Sequence, residues 1–263
     1  MKRALTIAGS DSGGGAGIQA DLKTFGALGV FGTSAITAIT AQNTVAVSRI
    51  QEVDPEVVAA QIDAVAGDIG VDAAKTGMLS SKAITRAVAA ALKRHLIPNL
   101  VVDPVMVSKT GARLLKEDAI APLKAEILPL AEIVTPNIPE AEILSGHKIT
   151  DAETLREAAR RILDLGPARV VIKGGHSDSP NVVDLYYDGK SFEELKAERV
   201  QTRSTHGTGC TFSAAIAAYL AHGLPPLDAV ARAKEFLTAA LQAPPSIGKG
   251  IGPIDHFHAF RKA

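Results

Sequence analysis

The sequence contains one cysteine and no tryptophan in 263 residues. A lone cysteine cannot close an intramolecular disulfide, and no cysteine-rich zinc site can be built from it. Net charge is missing too, since 28 Lys and Arg balance 28 Asp and Glu. With no overall basic field to hold a polyanion, nucleic acid is not an expected partner. Long apolar runs are also lacking. The longest nearly apolar stretch, 212–221, is far short of the ~20 residues that span a bilayer. The amino-terminal segment MKRALTIAGSDSGGG has too few apolar side chains before its glycines to make a signal-peptide core. There is no Ser/Pro-rich linker, no block of like charge and no internal repeat. What is present is 46% hydrophobic and 21% charged residues, which excludes disorder and fibrous structure. The expectation is a soluble cytoplasmic protein with one domain over 1–263 and no membrane or nucleic-acid partner.

The hydrophobic pattern alternates between two periods. Short apolar or β-branched runs at 4–8, 33–39, 73–78, 100–103, 133–135 and 170–173 read as strands. Segments with helical spacing lie between or after them, at 17–28, 55–69, 83–95, 116–128, 140–144, 152–165, 211–221 and 227–241. This βαβα order, with strands apolar on both faces, predicts an α/β fold. A mostly parallel sheet is covered by helices on both sides. Two regions break the pattern. The segment 45–53 alternates apolar and polar residues without a helix before it, and reads as a flap or a strand outside the main sheet. The segment 181–200, with a turn at Asp188-Gly189, reads as a hairpin.

In such sheets ligands bind beyond the carboxyl ends of the strands. The residues found there are Gly9-Ser10-Asp11, Gln42-Asn43, Lys75-Thr76-Gly77, Asp103-Pro104, Thr135-Pro136-Asn137 and Lys173-Gly174-Gly175. Turn chemistry accounts for the glycines and prolines. It accounts less well for Gln42, Lys75 and Lys173, which point to one composite site.

Two glycine-rich loops each join a strand or loop to a helix. The first, Gly9 to Gly17, could offer N–H groups to an anion or serve as a flexible turn. Its Gly15-Ala16-Gly17-Ile18-Gln19-Ala20 run fits a loose dinucleotide pattern, but the next strand region, 33–42, has no acid for a ribose. Asp21, one turn into the helix, is either a helix-dipole partner or a substrate contact. The second loop, Ser204-Thr205-His206-Gly207-Thr208-Gly209-Cys210, runs straight into a helix. Gly207 and Gly209 would turn N–H groups toward one point at the positive end of the helix dipole, which suits a phosphate. There is no Walker A pattern, so phosphoryl chemistry would have to use this loop. Asn137 and Glu140, three apart, read either as a capping box or as oxygen donors for a Mg²⁺–phosphate site that Asp103 could join. The histidines form no metal pattern. His206 is the one placed for a function, while His256 and His258 read as surface packing.

These residues resemble the ribokinase superfamily, and within it the hydroxymethylpyrimidine/phosphomethylpyrimidine kinases of thiamine biosynthesis. The segments that carry the likeness are AGSDSGGGAGIQAD, TAQNT, KTGML, VVDPVM, TPNIPEAE, VIKGGH, THGTGCTFSAAIAA and GKGIGPIDHFHAF, in order along nearly the whole chain. The resemblance implies a ribokinase-like three-layer sandwich, often a homodimer. It implies ATP as co-substrate with Mg²⁺, and phosphorylation of 4-amino-5-hydroxymethyl-2-methylpyrimidine to its monophosphate and then its diphosphate. It also implies an anion hole from the N–H groups of Gly207, Thr208, Gly209 and Cys210, with Thr205 beside it. Asn137 and Glu140 would order Mg²⁺ and its water, with Asp103 and Lys173 near the ATP phosphates. Gln42 would read the pyrimidine edge, and Asp21, Met78, Gly9, Val105 and Val107 would line the same pocket. Most of the superfamily has an aspartate base where this chain has Cys210, so Cys210 is expected to be the base for the alcohol. A phosphate acceptor, already anionic, needs none. A helix N-terminus lowers a thiol pKa and nearby ATP phosphates raise it. The alternatives are a pyridoxal kinase of the same fold and, from a different class, a non-catalytic dinucleotide or effector-binding module.

Overall fold

The computed structural model describes residues 1–108, 111–175, 180–242 and 244–260. Among these residues the chain builds one nine-stranded sheet with the order β3-β2-β1-β4-β5-β6-β7-β8-β9. β1 (Arg3–Asp11), β2 (Phe31–Gln42), β4 (Ala73–Thr76), β5 (Leu100–Val102), β6 (Ile133–Val134) and β7 (Val170–Ile172) run parallel. β3 (Val47–Glu52) is not outside the main sheet. It pairs antiparallel with β2 as an edge strand of that sheet, and its half-exposed alternation is the signature of a strand covered on one face. β8 (Asn181–Tyr187) and β9 (Phe192–Glu198) form the hairpin at the other edge. In its turn Asp188 Oδ1 accepts the N–H groups of Lys190 and Ser191, and Gly189 takes φ +87°.

Because side chains alternate across a strand, each parallel strand supplies two cores. Leu5, Ile7, Leu100, Val102, Val170 and Ile172 face one layer, and Ala4, Ala73, Val101, Ile133 and Val171 face the other. The first layer holds α2 (Pro55–Ala64), α3 (Lys82–Arg94), α5 (Ile138–Ser145) and α6 (Ala152–Leu163). The second holds α1 (Gly17–Ala27), α7 (Thr208–Ala221) and α8 (Pro226–Gln242). α7 is apolar or small all round and buried along almost its whole length, as expected for a helix with no solvent face. This burial fixes its amino terminus against the sheet.

The helix expected at 116–128 is a series of short turns over 117–130, with α4 (Ile120–Pro122) as one of them. Pro122 in the middle has no N–H to continue a regular ladder. No helix among the described residues is long and apolar enough to cross a membrane.

Candidate active site

The carboxyl ends of the parallel strands converge on a cavity of about 410 Å³. A second cavity, of about 220 Å³, opens between the β8–β9 hairpin and α8. The two share Asn137, Lys173, Thr208 and Gly209, so they meet at the amino terminus of α7. This geometry accommodates two ligands whose reacting ends touch at a helix terminus.

The second glycine loop forms that junction. α7 begins at Thr208, before the apolar pattern at 211 announces it. Its N-cap is Gly207, at φ +82°, and no side chain caps it. N–H groups in a helix's first turn have no intrahelical partner, and the macrodipole makes the end positive. A Cβ on Gly207 would overlap the Gly15 carbonyl, so glycine is required both for the φ and for the contact between the loops. A Cβ on Gly209 would lie 3.5 Å from Lys173 Nζ and 3.6 Å from Asp103 Oδ2. The Lys173–Asp103 pair, at 2.9 Å, therefore sits directly over the open helix end. Lys173 is held above its ordinary pKa: burial opposes the charge, but Asp103 and Glu140 outweigh it.

The first glycine loop has its anion already. Asp11 Oδ1 accepts from the Gly13 N–H at 2.8 Å, and Oδ2 accepts from those of Gly15 at 3.1 Å and Ala16 at 2.8 Å. His206 Nε2 also meets Asp11 Oδ2, at 2.8 Å. Burial works to raise the Asp11 carboxyl, but His206 and the Gly13 and Ala16 N–H groups outweigh it and hold it below its usual range. This loop is a self-satisfied turn rather than an open anion site.

A buried charge cluster lies behind the cavity. Lys75 Nζ bonds both oxygens of Asp21, at 3.2 and 3.0 Å, and the Thr6 hydroxyl donates to Asp21 at 2.6 Å. Both partners are fully buried. Burial raises the Asp21 carboxyl, with Lys75 and Thr6 opposing. For Lys75, burial opposes the charge, but Asp21, Cys210 and Asp103 outweigh it, so the proton of the pair stays on the lysine. Asp21 is absent from the cavity wall where the resemblance placed it, and acts as the counter-ion of Lys75, which does reach the wall. Cys210 also lines the cavity. Burial pushes its thiol up to about 11, with Asp21 and Asp103 adding to the rise and Lys75 and the Gly17 N–H pulling the other way. The sequence sets the helix terminus against the ATP phosphates; burial, which is not among those effects, is the largest one here and favours the neutral thiol.

Asn137 and Glu140 do form the capping box. Asn137 Oδ1 accepts the Glu140 N–H at 2.9 Å, and Glu140 Oε2 accepts the Asn137 N–H at 2.9 Å. Both also line the first cavity. Burial pushes the Glu140 carboxyl up, Lys173 opposes this, and Asp103 adds to it. Among the described residues no group of three or more His, Cys, Asp or Glu is placed to hold a metal.

Gly9, Met78, Val105 and Val107 line the first cavity, and a Cβ on Gly9 would come 3.1 Å from Met78 Sδ. Gln42 is on the same wall, whereas Thr205 lines the second cavity. His256 is not surface packing: it is 4% exposed and pairs through Nε2 with the Thr211 hydroxyl at 3.0 Å. The roles of Asp11 and Lys75 went unread in the sequence. Asp11 precedes three N–H groups within five residues, an Asx-type signal that was legible. Lys75 stood among the strand-end residues, but its partner lies 54 positions away. Of the segment VIKGGH, His176 lies outside the described residues.

Comparison with known proteins places the chain in a family. The family model described as phosphomethylpyrimidine kinase matches residues 11–255. A hydroxymethylpyrimidine/phosphomethylpyrimidine kinase of Rhizobium meliloti is 52% identical over 263 residues, covering 98% of each chain. A bifunctional thiamine biosynthesis protein of Geobacter sulfurreducens is 53% identical over 255 residues, 97% of this chain, which spans 52% of that longer protein. Among solved structures, an ADP complex of Bacillus subtilis pyridoxal kinase aligns with TM-score 0.92 at 41% identity over 100% of both chains. A phosphomethylpyrimidine kinase of Clostridium difficile aligns with TM-score 0.82 at 45% identity, over 92% of this chain and 100% of that one. The chain shares its ribokinase-like sandwich with these solved structures. This chain belongs to the phosphomethylpyrimidine kinase family.

Proposed function

We propose that this chain phosphorylates 4-amino-5-hydroxymethyl-2-methylpyrimidine with ATP, first at the alcohol and then at the resulting phosphate, in thiamine biosynthesis. The observation that carries this reading is the pair of cavities meeting at the uncapped end of α7, beneath Lys173. ATP would lie in the second cavity with its terminal phosphate on the N–H groups of Thr208, Gly209 and Cys210. Those groups and Lys173 stabilise charge on the transferring phosphoryl group. The pyrimidine fits the first cavity, its ring against Met78, Val105 and Val107 and its edge on Gln42. The alcohol oxygen forms a bond to phosphorus as the bond to the departing ADP oxygen breaks.

The alcohol must also lose its proton. Cys210 lines the first cavity and would take that proton, in its thiolate form. With a pKa of about 11, the thiolate is on the order of 10⁻⁴ of the enzyme at pH 7. The second transfer, to an anionic phosphate, does not draw on that minor form. Mg²⁺ belongs to the same proposal: Glu140 and Asp103 would hold it, and two carboxylates facing one Lys173 leave the surplus negative charge it needs. When bound, the ion supplies neutralisation of phosphate oxygens. A homodimer is part of the proposal as well, with β3 as a free sheet edge; sedimentation distinguishes 27.3 kDa from twice that mass.

ATP turnover with the pyrimidine alcohol and with pyridoxal, with products identified by mass, tests the reading. The likeness to a pyridoxal kinase makes pyridoxal the second candidate. Sequential monophosphate and diphosphate from the pyrimidine is the expected result. Turnover with pyridoxal alone would assign the other substrate, and no turnover with tight NAD binding would overturn the kinase reading.

A further inference from the structure

The first cavity holds a hydrogen-bond chain that the phosphoryl chemistry does not use. His206 Nε2 is 2.8 Å from Asp11 Oδ2 and 3.2 Å from Gln42 Nε2. Gln42 Oε1 is 3.2 Å from the Thr40 hydroxyl, which also lies 2.9 Å from the Ser10 carbonyl, so its one proton can go to either. Proton positions can be assigned to these contacts from the donor and acceptor capacity of each group. Asp11 is a carboxylate that only accepts, so His206 Nε2 carries a hydrogen and donates it. That single hydrogen goes chiefly to Asp11, at the shorter distance, and the nitrogen offers Gln42 only a share of it and no lone pair. The amide nitrogen beside it sets donor against donor, a conflict that turning the amide end for end removes, so we assign the carbonyl end of Gln42 to His206 and the nitrogen to Thr40. The amide N–H then faces Thr40 Oγ1, which accepts it while donating its single proton to Ser10. Every donor in the chain now has an acceptor. One lone pair of Oε1 and one N–H of Nε2 remain for a ligand in the cavity that Gln42 lines.

We propose that His206, anchored by Asp11, locks the Gln42 amide in one orientation and so fixes the order of donor and acceptor that the substrate ring must show. This inference rests on the proposed pyrimidine substrate. A 4-aminopyrimidine presents an N–H donor beside a ring-nitrogen acceptor, which complements a carbonyl beside an N–H. Its 4-oxo counterpart presents the reverse order, a carbonyl beside a ring N–H. To bind it, the amide would have to turn, placing its N–H groups against His206 and its carbonyl toward Thr40. A site whose polar groups are left mispaired rejects a ligand far more strongly than one that is merely less well filled. His206 is therefore a positioning residue for specificity. It works by penalising the wrong ring rather than by touching the reacting atoms.

The test is kcat/KM for the 4-amino alcohol and for its 4-oxo analogue, measured in the wild type and in His206→Ala, His206→Gln and Thr40→Val. The wild type should prefer the amino ring by about 100-fold or more. In His206→Ala that ratio should fall at least tenfold, by gain on the oxo ring and by a rise in KM for the amino ring that exceeds any fall in kcat. His206→Gln keeps a donor toward both neighbours and should retain most of the ratio. Thr40→Val frees the other end of the amide and should lower the ratio on its own, so it decides the matter if His206→Ala does not fold. An unchanged ratio in folded His206→Ala, or in Thr40→Val where the alanine variant is lost, overturns this inference and leaves the kinase reading standing. A collapse of the ratio in His206→Gln as deep as in His206→Ala also overturns it. A wild type that phosphorylates neither ring overturns both.

Discussion

Two glycine-rich loops lie against each other in this molecule, and they do opposite things. In the first, Asp11 occupies the N–H groups of Gly13, Gly15 and Ala16, so the loop is a closed, internally neutralised turn. In the second, Gly207 caps α7 without any side-chain acceptor, and apart from a long contact of the Thr208 N–H with the Thr205 carbonyl, at 3.4 Å, the helix end stays open. Glycine content does not separate them. What separates them is whether an acceptor within reach in the chain has already claimed the N–H groups. The closed loop supports the open one: Gly207 packs on the Gly15 carbonyl, and His206 reaches back to Asp11.

The largest expected effect comes from filling the open end. Gly209→Ala adds a Cβ in ordinary contact with Lys173 and Asp103, at a helical position where alanine is intrinsically favoured. Turnover should fall by about 100-fold or more, while thermal melting stays equal to or above the wild type. A parallel loss of folding would mean the position is structural. The converse change opens the closed loop. Asp11→Ala strands several N–H groups and should destabilise by about 2–3 kcal/mol in denaturant titration. Because the folded Asp11 carboxyl lies below its ordinary value, its contribution is present above the unfolded pKa of about 4 and is lost as pH falls through the folded one. The difference in stability between Asp11→Ala and wild type should therefore shrink in acid.

A smaller effect distinguishes the two transfers at the open end. With the Cys210 thiol at about 11, the alcohol step should rise about tenfold per pH unit between pH 7 and 9. The phosphate-acceptor step should follow no such slope. Cys210→Ala should remove the slope and leave the second step within a few-fold; equal losses on both acceptors would count against a base role. The smallest effect concerns the far side of α7, where His256 pairs with Thr211. Burial lowers His256 to about 4, so the neutral ring's stabilisation is complete above about 6.5 and is lost as pH falls toward 4. His256→Met should cost about 1 kcal/mol at pH 7 and flatten the acid limb of the melting curve.

Much of this was legible in the sequence. The strands and the faces of α1, α3 and α6 follow from local periodicity, and the GTGC loop announced itself by running into a helix. What was not legible depends on pairing across the chain. Lys75 meets Asp21 because β1 and β4 align Thr6 with Lys75. Asp11 meets His206 across 195 positions. The resemblance put Asp21 in the pocket, but only the packing of α1 on β1 shows that the side chain turns to the lysine. The broken stretch at 117–130 has an apolar spacing that fits a helix, and Pro122 is the sequence signal against one. The edge strand β3 reads the same locally whether or not it joins the main sheet.

The central claim is that the second loop, and not the first, receives the phosphates. Backbone amide chemical shifts, recorded on addition of a β,γ-methylene ATP analogue with Mg²⁺, test it most directly. The N–H signals of Thr208, Gly209 and Cys210 should move strongly while those of Gly13, Gly15 and Ala16 stay where they are. Large shifts in the first loop with a silent GTGC segment would contradict the account.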